Sequence, residues 1–385
     1  MAKVLFYCQH ILGMGHLVRS VEIIKGLIPD FQVCLINGGE IIPDFPFPEG
    51  LEIVNIPAIK TDNEFKELQP VDEHLTLAEL EIVRRESLVN LCHNFEPDIV
   101  IVELFPFGRR RFSFELIPFL ETAKSLGAKI VCSLRDIVVT KQDKTRHEEK
   151  VSKLINKYFD LLLIHGDPDF IPLDLSFSAL YQLNCPVRYT GYVTQPISQQ
   201  IPEKLSKQPL IVVSIGGGRF GHELLESIIK TAPILATQIP HHFYVFTGPF
   251  CPIYEELVEL ASCQNNLSVN RYTPSLTDYM QQADLSISMS GYNTTMNILA
   301  TGVKAMMMAF LGNGDLEQIT RIEKLAELGR IRIIDTDDLH PLKMSANIVD
   351  YLQETPKDLT LNLNGTENTA KYLQILIDST NVADF

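Results

Sequence analysis

Short continuous apolar runs alternate along this chain with stretches whose apolar residues recur at helical spacing. Lys3–Cys8 (KVLFYC) is a run of strand formers. Leu17–Ile28 then carries Leu17, Val21, Ile24, Leu27 and Ile28 on one helical face. Further strand-like runs lie at Gln32–Ile36, Glu52–Ile56, Ile99–Val102, Lys129–Leu134 and Leu161–Ile164. Helical stretches separate most of them, notably Leu77–Asn94 and Phe114–Leu126. Runs without polar alternation, such as DIVIVEL, suit a parallel sheet covered on both faces. The alternation therefore predicts βαβ units.

The pattern lapses over Thr190–Pro209, which is polar and rich in Pro and Gln, and then restarts. Strands are expected at Pro209–Ile215, Phe243–Thr247, Leu267–Val269, Leu285–Ser288, Val303–Phe310 and Ile331–Ile334. Helices are expected from the GGGRFG loop to Ala236, at Pro252–Ser262, at Asp315–Leu328 and at Glu367–Ile377. The resulting expectation is an α/β chain of two Rossmann-like parallel-sheet domains facing across a cleft. The first spans 1–190, a linker 191–208, the second 209–365, and a last helix in 366–385 returns to the first domain.

Composition narrows the function classes. The chain has 385 residues, 45% hydrophobic and 21% charged, which suits two globular domains. A net charge of −15 argues against nucleic acid and anionic membranes as main partners, although Arg109, Arg110 and Arg111 form a local basic cluster. Seven cysteines include no C-x-x-C pair, so buried free thiols and a reducing compartment are expected. No signal peptide and no stretch long enough for a membrane span is read from the sequence. A cytoplasmic protein without stable membrane association, monomer or homodimer, is the expectation.

Four loops carry candidate chemistry. The first, Gly13-Met14-Gly15-His16, lies between the first strand and first helix and extends to G-x-G-H-x-x-R at Arg19. Glycines there admit a ligand to the backbone, and a helix start attracts anions. The loop lacks the third glycine and ribose acid of a nicotinamide site, so no such cofactor is expected. His16 is either a general base or a helix cap and phosphate ligand. His10 is a rival, or a solvent-facing loop residue. Glu103 and Asp136 close neighbouring strands, and either carboxylate would orient His16; Glu103 is preferred.

The second loop, Gly216-Gly217-Gly218-Arg219, reads as a phosphate cradle or a tight turn. The third, Ser288 to Thr295, offers Ser290, Gly291, Asn293 and Thr294 to phosphate or ribose, with Ser290 as a helix N-cap the plainer reading. The fourth, Gly312 to Gln318, brings Asp315, Glu317 and Gln318 to a helix start. There they serve sugar hydroxyls or the helix dipole. No metal site is expected: Asp167-Pro168-Asp169 reads as a turn, and His241-His242 lack a third ligand.

These loops resemble those of the GT-B glycosyltransferases, and of the peptidoglycan N-acetylglucosaminyltransferase family in particular. The resemblance spans nearly the whole chain and is strongest from Leu210 to Arg330. Gly13–His16 matches the family's first Gly-rich loop, and Gly216–Gly218 the loop that faces the diphosphate. ISMSGYNTTMNILATG looks like the donor signature, and Glu317 and Gln318 fall where an acid–Gln pair contacts the donor sugar. Arg271-Tyr272-Thr273 lies where backbone meets the base, which makes Tyr272 a donor-site residue. The family's ribose-binding Glu falls at Asn297, a weaker partner for a hydroxyl.

The resemblance implies a metal-independent, inverting transfer from a nucleotide diphosphate sugar, most readily a UDP-sugar. The nucleotide sugar is a co-substrate, and no cofactor is implied. His16 would take the acceptor proton. The membrane-facing basic patch of the peptidoglycan enzyme is not evident, so the expected acceptor is a soluble small molecule such as a natural product. The same motif resembles nucleotide-sugar hydrolases and 2-epimerases, which keep the fold and change the reaction. A non-catalytic sugar-nucleotide binding protein is the other alternative.

Overall fold

The computed structural model describes residues 1–11, 13–43, 45–61, 67–139, 143–198, 208–310, 312 and 316–378. Two compact units emerge: Met1–Val193 with Leu361–Phe385, and Thr194–Thr360.

The first unit is built on a seven-stranded sheet of β1 (Ala2–Cys8), β2 (Phe31–Asn37), β3 (Glu52–Asn55), β6 (Ile99–Glu103), β7 (Lys129–Arg135), β8 (Leu161–His165) and β9 (Val187–Tyr189). Its order is β3-β2-β1-β6-β7-β8-β9, and every pairing is parallel. A small antiparallel pair, β4 (Ile59–Thr61) and β5 (Leu68–Pro70), stands apart from it. The crossovers carry α1 (Gly15–Leu27), α2 (Leu77–Phe95), α3 (Ser113–Ser125) and α4 (Lys144–Tyr158). The central strands are buried throughout, as with Val4–Cys8 and Ile99–Glu103, because helices cover both faces. Each fully buried Val, Leu or Ile there contributes about 1.5–3 kcal/mol. Local chemistry sets the helix ends. Thr76 and Glu79 form a reciprocal capping box at the start of α2.

The second unit holds a six-stranded, all-parallel sheet ordered β12-β11-β10-β13-β14-β15. Its strands are β10 (Leu210–Ser214), β11 (His242–Phe246), β12 (Leu267–Asn270), β13 (Leu285–Met289), β14 (Ala305–Met308) and β15 (Arg332–Ile333). Its helices are α5 (His222–Leu235), α6 (Tyr254–Ala261), α7 (Leu276–Gln282), α8 (Tyr292–Thr301), α9 (Glu317–Glu327) and α10 (Pro341–Gln353). Gly302 in the left-handed region stops α8.

The last helix, α11 (Gly365–Asp378), packs on α1. The approach is close: a Cβ on Gly26 would meet the Thr366 methyl at 2.3 Å. Asn362 donates its backbone N–H to Asp167, and Asn368 donates to the Thr190 carbonyl. Half of the predicted linker, 199–207, lies outside the described residues. Its described ends are tied down, with Ser198 bonded to Gln281 and Thr277 to the Pro196 carbonyl.

Several elements differ from expectation. α4 carries only a thin buried stripe, Val151, Ile155 and Tyr158 with His147, in an otherwise charged segment. The β4–β5 pair, β9, α7 and α10 are likewise additional to the sequence pattern. All but α10 are short; α10 is a full helix that buries Met344, Ile348 and Tyr351.

Candidate functional site

Both sheets reverse strand order beside their first strand. β1 lies between β2 and β6, and β10 lies between β11 and β13. Ligands bind open parallel sheets at the carboxyl ends of the strands flanking such a reversal. Gly13–His16 follows β1 and Glu103 ends β6, while Gly216–Arg219 follows β10 and Ser290–Asn293 follows β13.

At the first reversal, Met14 caps α1 without a side-chain hydrogen bond, and no acid sits in the first turn. The positive end of the helix dipole is therefore left for other anions. Gly15 is exposed, and a Cβ on Gly13 would meet nothing within 4 Å. The His16 side chain is 18% exposed, and its Nδ1 lies 2.8 Å from Glu103 Oε1. A carboxylate only accepts, so Nδ1 carries the proton and donates it, and Nε2 is left as a bare acceptor. Arg19 donates to the same Glu103 oxygen. Burial pulls the His16 pKa down to about 4; Glu103 opposes this, while Arg109 and Arg135 add to it. Burial alone would push Glu103 up, but His16, Arg19 and Arg109 hold it down at about 2. At neutral pH the pair is therefore a neutral imidazole against an ionised carboxylate.

The other ionisable groups nearby serve the scaffold. His165 is fully buried, with Nε2 2.8 Å from Ser133 Oγ and Nδ1 2.9 Å from Thr190 Oγ1, and burial lowers its pKa to about 3. Burial raises the Cys8 thiol to about 12, which keeps it unreactive. His10 is not a solvent-facing loop residue: it is 3% exposed, with Nε2 3.1 Å from Asn37 Oδ1. Asp136 is also buried. Beneath the β1 end, Arg84 makes two 2.6 Å bonds to Glu115 and one of 2.7 Å to Gln9.

At the second reversal the three glycines differ in purpose. Gly218 adopts φ +93°, and a Cβ there would lie 2.6 Å from the Thr247 carbonyl. Packing against the Thr247–Cys251 turn thus demands this glycine, as a tight-turn reading requires. Gly216 has φ +70° but faces open space and is exposed. Gly217 between them is half-buried, and Arg219 is exposed and stacks on the Phe250 ring.

Ser290 is fully buried, and the residue capping α8 is Gly291, not Ser290. The Ser290 hydroxyl donates to Gln318 Oε1 at 3.2 Å, which also accepts from the Phe310 N–H at 3.1 Å. Gln318 thus joins the ends of β13 and β14. Gly291 has open space where a side chain would stand. Asn293 is half-buried and Thr294 is buried in the first turn of α8. Asn297 is 2% exposed and donates to Gln195 Oε1 at 2.7 Å, and its Oδ1 is buried without a hydrogen-bond partner. Glu317 is also turned inward, 2.7 Å from Arg321. Arg321 in turn lies over the Tyr292 ring. Tyr272 follows β12, half-buried. Asp315 lies outside the described residues.

Ser290, Asn293, Thr294, Glu317 and Gln318 therefore belong to one edge of the second sheet, but Glu317 and Gln318 are already engaged within the protein. Sequence reasoning passed over Gln195, Phe310 and Arg321; none sits in a glycine loop. Among the described residues no group of three or more His, Cys, Asp or Glu is arranged to hold a metal ion. Asp167 serves a turn, accepting from Asp169 N, and His241 and His242 bond to Asn266 and Ser268.

Residues 210–374 match the model of the glycosyltransferase family 28 C-terminal domain. The chain is similar to the UDP-N-acetylglucosamine–N-acetylmuramyl-(pentapeptide) pyrophosphoryl-undecaprenol N-acetylglucosamine transferase of Lactococcus lactis subsp. cremoris. The two are 22% identical over 177 residues, 45% of this chain and 49% of that protein. The chain thus spans about half the length of this curated relative. The calicheamicin glycosyltransferase CalG4 superposes with a TM-score of 0.60 at 13% identity, covering 99% of this chain and 96% of that one. A candidate UDP-N-acetylglucosamine 2-epimerase from Listeria monocytogenes superposes with a TM-score of 0.62 at 11% identity, covering 99% and 97%. The chain accordingly has the GT-B fold, is related to the N-acetylglucosaminyltransferase-like glycosyltransferases, and carries a glycosyltransferase family 28 C-terminal domain in its second half.

Proposed function

We propose that this protein is a metal-independent, inverting glycosyltransferase that moves a sugar from a nucleotide diphosphate sugar, UDP-linked in the first instance, to a hydroxyl of a soluble small molecule. The observation that carries the reading is the His16–Glu103 contact at 2.8 Å. It leaves Nε2 of a neutral imidazole available to a hydroxyl. In the step, the acceptor O–H gives its proton to His16 Nε2 as the oxygen bonds to the anomeric carbon. The bond from that carbon to the diphosphate breaks, and its electron pair leaves with the nucleotide. Glu103 stabilises the imidazolium that forms.

On the second unit, Gly216, Gly217, Gly218 and Arg219 would meet the diphosphate with Gly291, Asn293 and Thr294 at the α8 start. Gly15 would add its backbone at the start of α1. Tyr272 and Asn297 would take the nucleoside, and Asp315, Glu317 and Gln318 the sugar. The family 28 domain match supports the donor class. A net charge of −15 supports a soluble acceptor over the undecaprenol-linked one in the Lactococcus protein's name.

The test is UDP release from a panel of UDP-sugars with and without small-molecule acceptors, with EDTA present in one arm. Acceptor-dependent UDP release that EDTA leaves unchanged is expected. Stoichiometric free sugar without acceptor would make the protein a hydrolase, and a 2-epimeric sugar product an epimerase, the activity suggested by the Listeria relative's name. Tight binding without turnover would make it a sensor.

A further inference from the structure

We propose that the facing rings of Phe220 and Phe310 form an apolar floor for the pyranose ring of the donor, and so let the second unit tell a nucleotide diphosphate sugar from the bare nucleotide. This deepens the donor-site reading above and rests on it.

The two phenylalanines are far apart in the chain and meet across one strand end. β13 lies between β10 and β14 in the sheet. Phe220 stands in the loop that leaves β10, and Phe310 lies two residues past the end of β14. Their ring centroids are 4.4 Å apart, with the planes inclined at 42°. The contact therefore bridges the carboxyl end of β13, just before Gly291 caps α8. Glycines make the crossing possible. Gly221 takes φ +86°, and a Cβ there would lie 2.8 Å from Met289 Cγ at the end of β13. Any side chain at 221 would lift the loop, and Phe220 with it, off the strand end. On the other flank, the Ser290 N–H donates to the Met308 carbonyl at 2.9 Å, and a Cβ on Gly312 would run into the Phe310 ring.

Phe310 is anchored from below, packed against the core cluster that includes Met289 and Met308. Both rings nevertheless stay half-buried. Apolar surface is thus left at the carboxyl edge of the sheet, next to a helix start that has open space at Gly291. Aromatic surface beside a few fixed polar groups is the usual make-up of a small-molecule site.

Position decides which part of the donor the rings meet. Tyr272, assigned above to the nucleoside, follows β12, two strands from β10 on one side. The phenylalanine pair spans from β10 to β14, two strands away on the other side. A diphosphate at the α8 start carries no C–H groups and gains nothing from an aromatic ring. A pyranose carries hydroxyls around its rim and C–H groups on its faces. Its rim needs a partner such as the Gln318 carboxamide, whose Oε1 accepts from the Phe310 N–H at 3.1 Å and so lies beside the pair. Its C–H face needs the rings themselves.

The experiment is calorimetric titration of the full-length protein with UDP, UDP-glucose and UDP-galactose, for wild type, Phe220→Ala, Phe220→Tyr and Phe310→Leu. Phe220→Ala should weaken one or both UDP-sugars roughly tenfold, the scale of one aromatic contact, and leave the Kd of UDP within a factor of about two. Phe220→Tyr, which keeps the ring, should restore the affinity. Phe310→Leu should act in the same direction, and adding Phe220→Ala to it should cost little more, because two rings of one floor do not act independently. The two sugars differ only in configuration at C4, so a loss confined to one identifies the face that lies on the rings. A pair that merely braced the 216–221 loop would weaken UDP as much as its sugars, since that loop meets the diphosphate; equal losses therefore overturn the floor. Full additivity of the two substitutions overturns it as well. UDP and both sugars binding every variant as they bind wild type sinks the floor and spares the donor-site reading. Wild type that binds neither UDP nor either sugar sinks that reading, and the floor with it.

Discussion

The two strand-order reversals share a topology and differ in chemistry. In the first unit the edge is ionic: His16 and Arg19 share one oxygen of the buried Glu103 carboxylate. In the second unit the corresponding edge is made of glycine backbone, hydroxyls and carboxamides with one exposed cation, Arg219, and Glu317 is folded back onto Arg321. Charges in low dielectric tune a proton affinity, which is what moving a proton requires. Neutral dipoles at helix starts hold an anion without titrating. On the proposed function, one architecture would supply a reactive edge and a binding edge, and the two should respond to different perturbations.

The largest difference should come from His16→Ala, with turnover falling by ~100-fold or more while the donor's Kd stays within a factor of about two. The wild-type rate should be flat at neutral pH and drop as pH falls through about 4, because protonation there removes the base. Steady-state kinetics across pH measure both. Collapse of donor affinity with surviving turnover would make His16 a phosphate ligand and erase the contrast.

Glu103→Gln comes next. The buried Arg19 loses its ion pair with the carboxylate, and the first unit should be destabilised. Urea unfolding should show the loss in the first unit, and an unchanged midpoint would mean that edge is wetter than described. Gly218→Ala should destabilise the second unit beyond the roughly 1–2 kcal/mol expected for a left-handed backbone, because the new methyl meets the Thr247 carbonyl. Gly216→Ala should cost only the backbone part; equal losses would refute the different purposes assigned to the two glycines. The smallest effect belongs to Gln318→Ala. Losing neutral hydrogen bonds worth about 1 kcal/mol should raise the donor's KM roughly fivefold with kcat little changed.

Much of this was legible in the sequence, for local reasons. A strand running into Gly13–His16 or Gly216–Arg219 announces itself through apolar runs and glycines. The carboxyl-edge position of Glu103 follows from its place at the end of DIVIVEL. What escaped depends on three-dimensional neighbours. That Gly218 is demanded by Cys251 and Thr247, or that Gln318 ties Ser290 to Phe310, is invisible along the chain. His10 misled because a histidine two residues past a strand reads as exposed, whereas Asn37 and the Gly39 backbone enclose it. Arg109 was noticed only as part of a basic triplet, since a left-handed backbone angle has no signature in a non-glycine residue.

The return of α11 to α1 has a consequence for how the molecule is made. The first unit is interrupted: its chain leaves at Val193 and resumes at Leu361. A ribosome therefore delivers the whole of the second unit before the first can acquire the segment that covers α1. Domains synthesised first usually complete first. Here the order inverts: the unit begun earliest must wait, part-finished and with the α1 surface at Gly26 uncovered, until residues 361–378 emerge. Nascent-chain force profiling should record the second unit's folding before the first unit's final consolidation.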